Sequence, residues 1–311
     1  MFSAVVFAYS EVGFRCLQVL LDQGVRVPLV FTHEDQAGEQ HWFASVADLA
    51  RSRGVRVVTT AQPAAPEWLA EIRRLAPDYI LAAYYRAMLP PSLLALARWG
   101  ALNMHGSLLP AYRGRAPVNW AIANGETRTG ATLHYMVAKP DAGPIVAREV
   151  VPIGPDDDAL AVSRAVAGAA AHLLAASLPV LAQGPPAGEP MDLAAGAYFG
   201  GRRPEDGRID PHWPGARVHA MIRAVAPPFP GAFVEDAGRR VVFGSSRLDG
   251  RCAPQPGLCL HAGDGRLLLD CRDGVRLQIG HVLIDGGTLD ARKFQARFGT
   301  QPLRFGFTAR D

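Results

Sequence analysis

The feature that most constrains this chain is the regular alternation, through its first half, of short β-rich apolar runs with segments of helical spacing. Ala4–Ala8, Val25–Thr32, Val55–Thr59 and Tyr79–Ala83 have the length and side chains of strands. Between them, Gly13–Asp22, Trp42–Arg53 and Pro66–Leu75 space their apolar residues as helices do. Such an alternation predicts βαβ units around a mostly parallel sheet. Proline and glycine punctuate in agreement: Pro90-Pro91 opens a segment closing at Gly100, and Pro117 opens one ending at Gly125.

Past about residue 190 the pattern changes. Gly184-Pro185-Pro186-Ala187-Gly188 and the stretch Ala194–Gly201 read as a connection between domains. One helical segment, Pro214–Val225, then precedes short strands. Asp264-Gly265 and Asp273-Gly274 sit between β-type runs at hairpin spacing, and Ala237-Gly238 is a third candidate turn. The expected fold is therefore α/β: a mostly parallel domain over residues 1–190, a linker at 191–205, and a small antiparallel barrel or meander at 206–311. A chain of 311 residues is long enough for both.

Composition removes several classes. The net charge of +3 neither demands nor excludes an acidic partner. Cys16, Cys252, Cys259 and Cys271 form no C-x-x-C pair and are too sparse for a disulfide scaffold, so reduced thiols are expected. The N-terminus has no basic leader region and reads as a buried strand. The apolar stretch Ala159–Ala182 contains Arg164 and His172 and reads as a core helix, so no membrane insertion and a cytoplasmic location are expected. His33-Glu34-Asp35 with His41 lacks the helical register of a zinc site, and no metal is expected. No G-x-G-x-x-G follows the first strand, and Glu11 stands at that turn, which disfavours a dinucleotide pyrophosphate. Arg292, Lys293, Arg297 and Arg304 near the C-terminus read as a solvated basic face; Tyr84-Tyr85 could stack on a base or fill the end of the sheet.

Chemistry concentrates in the stretch from Ala101 to Pro117. Ala101–His105 begins as a strand, so Asn103 and His105, two apart, point to one side. The Gly, Pro and Arg residues that follow make a loop, and sites of doubly wound sheets gather where strands give way to loops. An Asn amide can donate to a developing oxyanion, and a His can move a proton near neutral pH. Acyl-type transfer to an amine needs both, with the amine itself as nucleophile. Downstream, Lys139-Pro140-Asp141-Ala142-Gly143-Pro144 turns the chain. Asp141 could pair with His105, or it could be a turn aspartate bonding its own backbone.

The block Asn103-Met104-His105-Gly106-Ser107-Leu108-Leu109-Pro110, with Tyr112-Arg113-Gly114 and the later Asp141-Ala142-Gly143, resembles the folate-dependent formyltransferases. The likeness is strongest to the formyltransferase domain of UDP-4-amino-4-deoxy-L-arabinose formyltransferase. It also runs through Val6-Phe7-Ala8-Tyr9, Phe31-Thr32-His33, Tyr84-Tyr85-Arg86 and Arg113–Trp120. Further matches are Asn124-Gly125-Glu126-Thr127, Phe199–Asp206, Arg223-Ala224-Val225 and Pro228–Phe233. The resemblance implies a Rossmann-like catalytic domain followed by an OB-like β-barrel. It also implies 10-formyltetrahydrofolate as formyl donor and a UDP-amino sugar of lipid A modification, the route to polymyxin resistance, as acceptor.

By the same resemblance, Asn103 would stabilise the transition state, His105 would transfer protons and Asp141 would favour the charged form of His105. Folate would lie against Ala87, Met88, Leu89, Arg115 and the run Val137, Ala138, Lys139, Pro140 and Asp141. Two departures matter: relatives often carry a polar side chain where Ala87 stands, and Pro140 has no N–H to donate. Arg202 and Arg203 are candidate ligands of the sugar-nucleotide diphosphate. The enteric arabinose enzyme carries a further decarboxylase domain; here a stand-alone form or a fragment is expected, with any decarboxylase a separate chain. The rival acceptors are methionyl-tRNA and another amino-sugar nucleotide. Glu34, Asp35 and Glu39 make the Thr32–Ser45 segment acidic, which repels phosphate and disfavours tRNA or other nucleic acid as partner. A silent nucleotide-sugar or folate binding protein, and a nicotinamide oxidoreductase, are the readings from other classes.

Overall fold

The computed structural model describes residues 2–34, 42–236 and 238–307. Asp35, Glu39, His41 and Ala237, on which parts of the sequence reading fall, lie outside them. Contacts divide the chain into two compact units. The first comprises Met1–Pro117, Arg128–Pro152 and Ser163–Gly200, and the second Val118–Thr127, Ile153–Val162 and Gly201–Asp311. The units are thus interleaved along the sequence, and the chain passes to the second for the last time inside the expected linker.

The first unit is built on strands β1 (Ser3–Ala8), β2 (Arg26–Thr32), β3 (Arg56–Thr59), β4 (Tyr79–Ala83) and β5 (Gly100–His105). Helices α1 (Ser10–Asp22), α2 (Val46–Ser52), α3 (Pro66–Leu75) and α4 (Pro91–Leu94) fall between them. Helix α5 (Pro117–Ala123), which from Val118 on belongs to the second unit, separates the two-residue strand β6 (Arg113–Gly114) from β7 (Arg128–Tyr135) and β8 (Ile145–Pro152). Helix α6 (Ala159–Leu181) and the short strand β9 (Tyr198–Phe199) follow. The main sheet runs β3-β2-β1-β4-β5-β7-β8, parallel through β5, with β7 and β8 added antiparallel.

Every residue of β1 and β4 is buried, which is why their sequences are apolar without alternation. Strand order reverses at β1 and β4, and functional groups of such sheets gather beyond the carboxyl ends of the strands. One core face stacks Phe7 on Phe31 at 4.5 Å, with Ile80, Ile72 and Leu93 beside them. Helix α4 is shorter than its sequence suggests. Arg98 and Trp99 donate backbone hydrogen bonds to Pro77 and Asp78, drawing the chain into β5 before Gly100. Helix α6 has the length and hydropathy of a membrane span, yet Val166, Ala170, Leu174 and Leu181 are fully buried in the protein.

The second unit carries helix α7 (Gly215–Ala224) and two antiparallel sheets. Their strands are β10 (Ala232–Asp236), β11 (Arg239–Phe243), β12 (Ser246–Arg251), β13 (Leu258–Gly263) and β14 (Arg266–Asp270). β15 (Val275–Ile279), β16 (Val282–Ile284) and β17 (Gly287–Leu289) follow, then helix α8 (Ala291–Phe298) and β18 (Leu303–Phe305). One sheet is ordered β10-β11-β16-β17 and the other β12-β15-β14-β13-β18. Asp264-Gly265 joins β13 to β14 with both residues at positive φ, as a two-residue hairpin requires. Asp273-Gly274 joins β14 to β15. A further turn at Asp285-Gly286, again with both φ positive, joins β16 to β17 and was not among those expected.

Candidate active site

Asn103 and His105 lie at the carboxyl end of β5 and project to the same side, as the two-residue strand repeat requires. Asp141, in the turn between β7 and β8, reaches both. Its Oδ1 lies 3.7 Å from His105 Nδ1 and accepts from Asn103 Nδ2 at 3.4 Å. Its Oδ2 accepts from the Gly114 backbone N–H at 2.9 Å. Asp141 has φ +47°, a left-handed conformation that aspartate tolerates better than most residues. Asn103, His105 and Gly114 therefore converge on one carboxylate that lies well downstream of them in sequence.

The partners of His105 define its chemistry. Nε2 lies 2.9 Å from the carbonyl oxygen of Tyr112. A carbonyl can only accept, so Nε2 carries a hydrogen, and in the neutral ring Nδ1 then presents its lone pair. The nitrogen able to take a proton is thus the one facing the Asp141 carboxylate, which would stabilise the imidazolium. Both groups are largely buried, so the attraction is weakly screened.

His134 is the residue that the sequence reading passed over. It stands on β7 directly opposite Asn103, a pairing set by the antiparallel register. Its Nδ1 donates to the carbonyl of Tyr135 at 2.8 Å, leaving Nε2 to accept from Asn103 Nδ2 at 3.0 Å. Burial, with His105 nearby, pushes its pKa down to about 4 against the pull of Asp141, so the ring is neutral at physiological pH. A neutral acceptor here orients the Asn103 amide with its nitrogen toward the centre of the cluster. An Asn and a His on adjacent strands carry no distinctive spacing; only the register pairs them.

The loop after β5 is tightly built. Thr132 Oγ1 donates to Ser107 O at 2.6 Å and accepts from Leu109 N at 3.2 Å, while Ser107 Oγ donates to Ala111 O at 2.6 Å. The Leu109-Pro110 bond is cis. Gly106 is required because the Tyr84 hydroxyl occupies the place where a Cβ would sit. Tyr85 stacks on His33 at 4.2 Å and donates to Thr60 O at 3.3 Å, so both tyrosines fill the end of the sheet.

The residues expected to meet folate divide by exposure. Met88 and Val137 are exposed apolar side chains, at 64% and 41%, the kind of surface a planar ring system covers. Leu89 instead points into the core, so a ligand could meet only its backbone. Ala138 and Lys139 are exposed; Ala87 and Pro140 are half-buried. Arg115 Nη2 donates to Arg86 O at 3.4 Å, which brings Arg115 onto the Arg86–Leu89 loop. Arg202 and Arg203 belong to the second unit. Arg202 lies over the Trp120 ring at 4.4 Å and donates to Asp206 O at 2.9 Å, with its Nε and Nη1 buried; Arg203 is exposed. Among the described residues, no group of three or more His, Cys, Asp and Glu side chains is arranged to hold a metal ion.

A family model described as formyl transferase matches residues 15–178, and one described as formyl transferase, C-terminal domain, matches residues 202–299. Among solved structures, the N-formyltransferase from Helicobacter canadensis, in complex with folinic acid and dTDP-3-aminofucose, is 17% identical. It superposes with a TM-score of 0.72 over 90% of this chain and 99% of its own. WlaRD, a sugar 3N-formyl transferase crystallised with dTDP and 5-N-formyl-THF, is 15% identical with a TM-score of 0.71, covering 90% of this chain and 97% of its own. HypX from Aquifex aeolicus with tetrahydrofolic acid is 20% identical with a TM-score of 0.64 over 97% of this chain. This chain spans about half of HypX, 48% of its length.

Proposed function

Because this chain belongs to the formyl transferase family and is a formyl-transferring enzyme, we propose that it moves the formyl group of 10-formyltetrahydrofolate to the 4-amino group of UDP-4-amino-4-deoxy-L-arabinose. The observation that carries the reading is the convergence of Asn103 and His105 on Asp141. The acceptor amine attacks the formyl carbon, and the carbonyl oxygen gains the negative charge. The Asn103 N–H that reaches Asp141 Oδ1 at only 3.4 Å turns to that oxygen while the other stays on His134, an interaction typically worth about 10²–10³ in rate. His105 Nδ1 takes the proton that the nitrogen loses, and Asp141 holds the resulting imidazolium. Collapse breaks the bond from the formyl carbon to the folate nitrogen. That nitrogen recovers the proton, and tetrahydrofolate leaves.

Family membership and the folate-type ligands of the solved relatives support the donor. Met88, Val137 and Arg115, beside the backbone of Ala87, Leu89 and Ala138–Asp141, supply apolar and cationic surface for it. An amino-sugar nucleotide as acceptor is supported by the sugar formyltransferases of the same fold. The arabinose sugar of lipid A modification, formylated in the cytoplasm, is supported by the sequence blocks around Tyr84-Tyr85-Arg86 and Phe199–Asp206. Exposed Arg203, with Arg202 braced on Trp120 beside it, supplies charge for the diphosphate.

The test presents 10-formyltetrahydrofolate with UDP-4-amino-4-deoxy-L-arabinose, dTDP-3-aminofucose or methionyl-tRNA in parallel and detects formylated product by mass. Formylation of the arabinose nucleotide is the expected result. Product on the aminofucose nucleotide or on tRNA alone would overturn the acceptor, and no product on any amine would overturn the reaction. Alanine at both Arg202 and Arg203 is expected to raise KM for the nucleotide.

A further inference from the structure

The segment 192–199, which the sequence presents as an interdomain connection, is bound along its length to the loop that completes the candidate active site. Both belong to the first unit. Asp192 caps a short helical turn by accepting from Ala194 N at 2.9 Å. Strand β9 pairs with β6: Arg113 N donates to Ala197 O at 3.1 Å and Arg115 N to Phe199 O at 2.9 Å. The Tyr112 and Phe199 rings stack at 4.9 Å. Gly196 lies so close that an added Cβ would stand 2.0 Å from Pro110 O, and a Cβ on Gly114 would stand 2.1 Å from Phe199 O.

Arg113 of β6 ties this strap to the loop. Its side chain is buried, and Nη2 donates to two strap carbonyls, Leu193 O at 3.2 Å and Gly196 O at 2.9 Å. A buried cation is costly unless hydrogen-bonded, and here backbone carbonyls rather than a carboxylate hold it. Its neighbours in sequence are the two backbone partners of the catalytic pair. The Tyr112 carbonyl receives His105 Nε2–H, and the Gly114 N–H donates to Asp141 Oδ2. Whatever fixes Arg113 therefore fixes both.

We propose that Arg113 is a positioning residue: by clamping the 193–199 strap onto the loop, it sets the Tyr112 carbonyl and Gly114 N–H that select the His105 tautomer and aim Asp141. It touches no substrate; it acts through the loop. The proposal rests on the formyl-transfer reading only in assigning work to His105 and Asp141.

The experiment compares Arg113→Met, which keeps the apolar stem without the donors, with Arg113→Lys and Gly196→Ala. Gly196→Ala perturbs the strap while leaving Arg113 in place. A displacement of the loop by about 1 Å can cost about a hundredfold in rate. The expected result for Arg113→Met and Gly196→Ala is a kcat lower by that order, KM for donor and acceptor within threefold, and a displaced pH–rate profile. Lysine, able to reach one carbonyl, restores part of kcat. Imidazole nitrogen NMR of His105 is expected to show the Nε2–H tautomer in the wild type and a mixture in both perturbed variants. That readout needs no acceptor, so it separates this proposal from the identity of the substrate. Folded variants with wild-type kcat, pH profile and His105 tautomer, whether or not their melting temperatures fall, would overturn the positioning role. Should Arg113→Met not fold, Arg113→Lys and Gly196→Ala decide.

Discussion

Replacing Asp141 by Asn preserves size and removes the charge that faces His105. An imidazolium and a carboxylate 3.7 Å apart attract by about 4 kcal/mol at the effective dielectric of about 20 that describes sites in proteins. Their burial leaves little water to screen the pair. In the proposed reaction the attraction exists only once His105 has taken its proton, so its loss raises the barrier rather than weakening the ground state. About 4 kcal/mol corresponds to about 10³ in kcat. Geometry adds to the loss: an Asn that still accepts from Gly114 N–H turns its amide nitrogen toward His105 Nδ1 and hydrogen-bonds the lone pair that should accept the proton. The assay is kcat for formylated product, measured by mass at saturating donor and acceptor, beside a thermal melt. Because Asn keeps an acceptor for Gly114, the melting temperature is expected to fall by no more than a few degrees. A folded Asp141→Asn enzyme with kcat within tenfold of wild type would refute the electrostatic account of the site.

Two further outcomes follow from burial. His134 is held neutral in the folded protein, with a pKa of about 4 against about 6.5 unfolded. The unfolded chain therefore takes up this proton first as pH falls. The stabilisation is complete above about pH 6.5 and is lost between there and about 4, a change of about 3 kcal/mol. Urea denaturation at pH 7 and pH 4.5 should show His134→Gln lacking that component, and equal losses in variant and wild type would sink the assignment. Phe7 is fully buried against Phe31, so Phe7→Ala is expected to cost about 3–5 kcal/mol in denaturant unfolding, and a cost below about 1 kcal/mol would contradict the packing.

Legibility in the sequence varied with how local the physics is. β4 and α3 have the bounds expected of them, since an all-apolar run and a proline-initiated amphipathic segment depend on few distant contacts. The Asp264-Gly265 and Asp273-Gly274 turns were visible because hairpin turns demand particular residues. The end of α4 was not, because backbone bonds from Arg98 and Trp99 to Pro77 and Asp78 override the local preference. The 192–199 strap has the composition of a connector, and only its pairing with β6 reveals its place.

The candidate site divides the same way. That Asn103 and His105 share a side follows from the two-residue repeat of a strand, and their chemistry from their side chains; both are properties of the chain alone. The choice of Asp141 as a partner of His105 rather than of its own turn's backbone, the neutrality of His134 and the aim of the Tyr112 carbonyl depend on registers and burial between segments 7 to 85 residues apart. The sequence determined which groups can donate, accept or carry charge. Tertiary structure decided which of them meet, and how dry their surroundings are, because distance and desolvation belong to the packed chain and not to any one stretch of it.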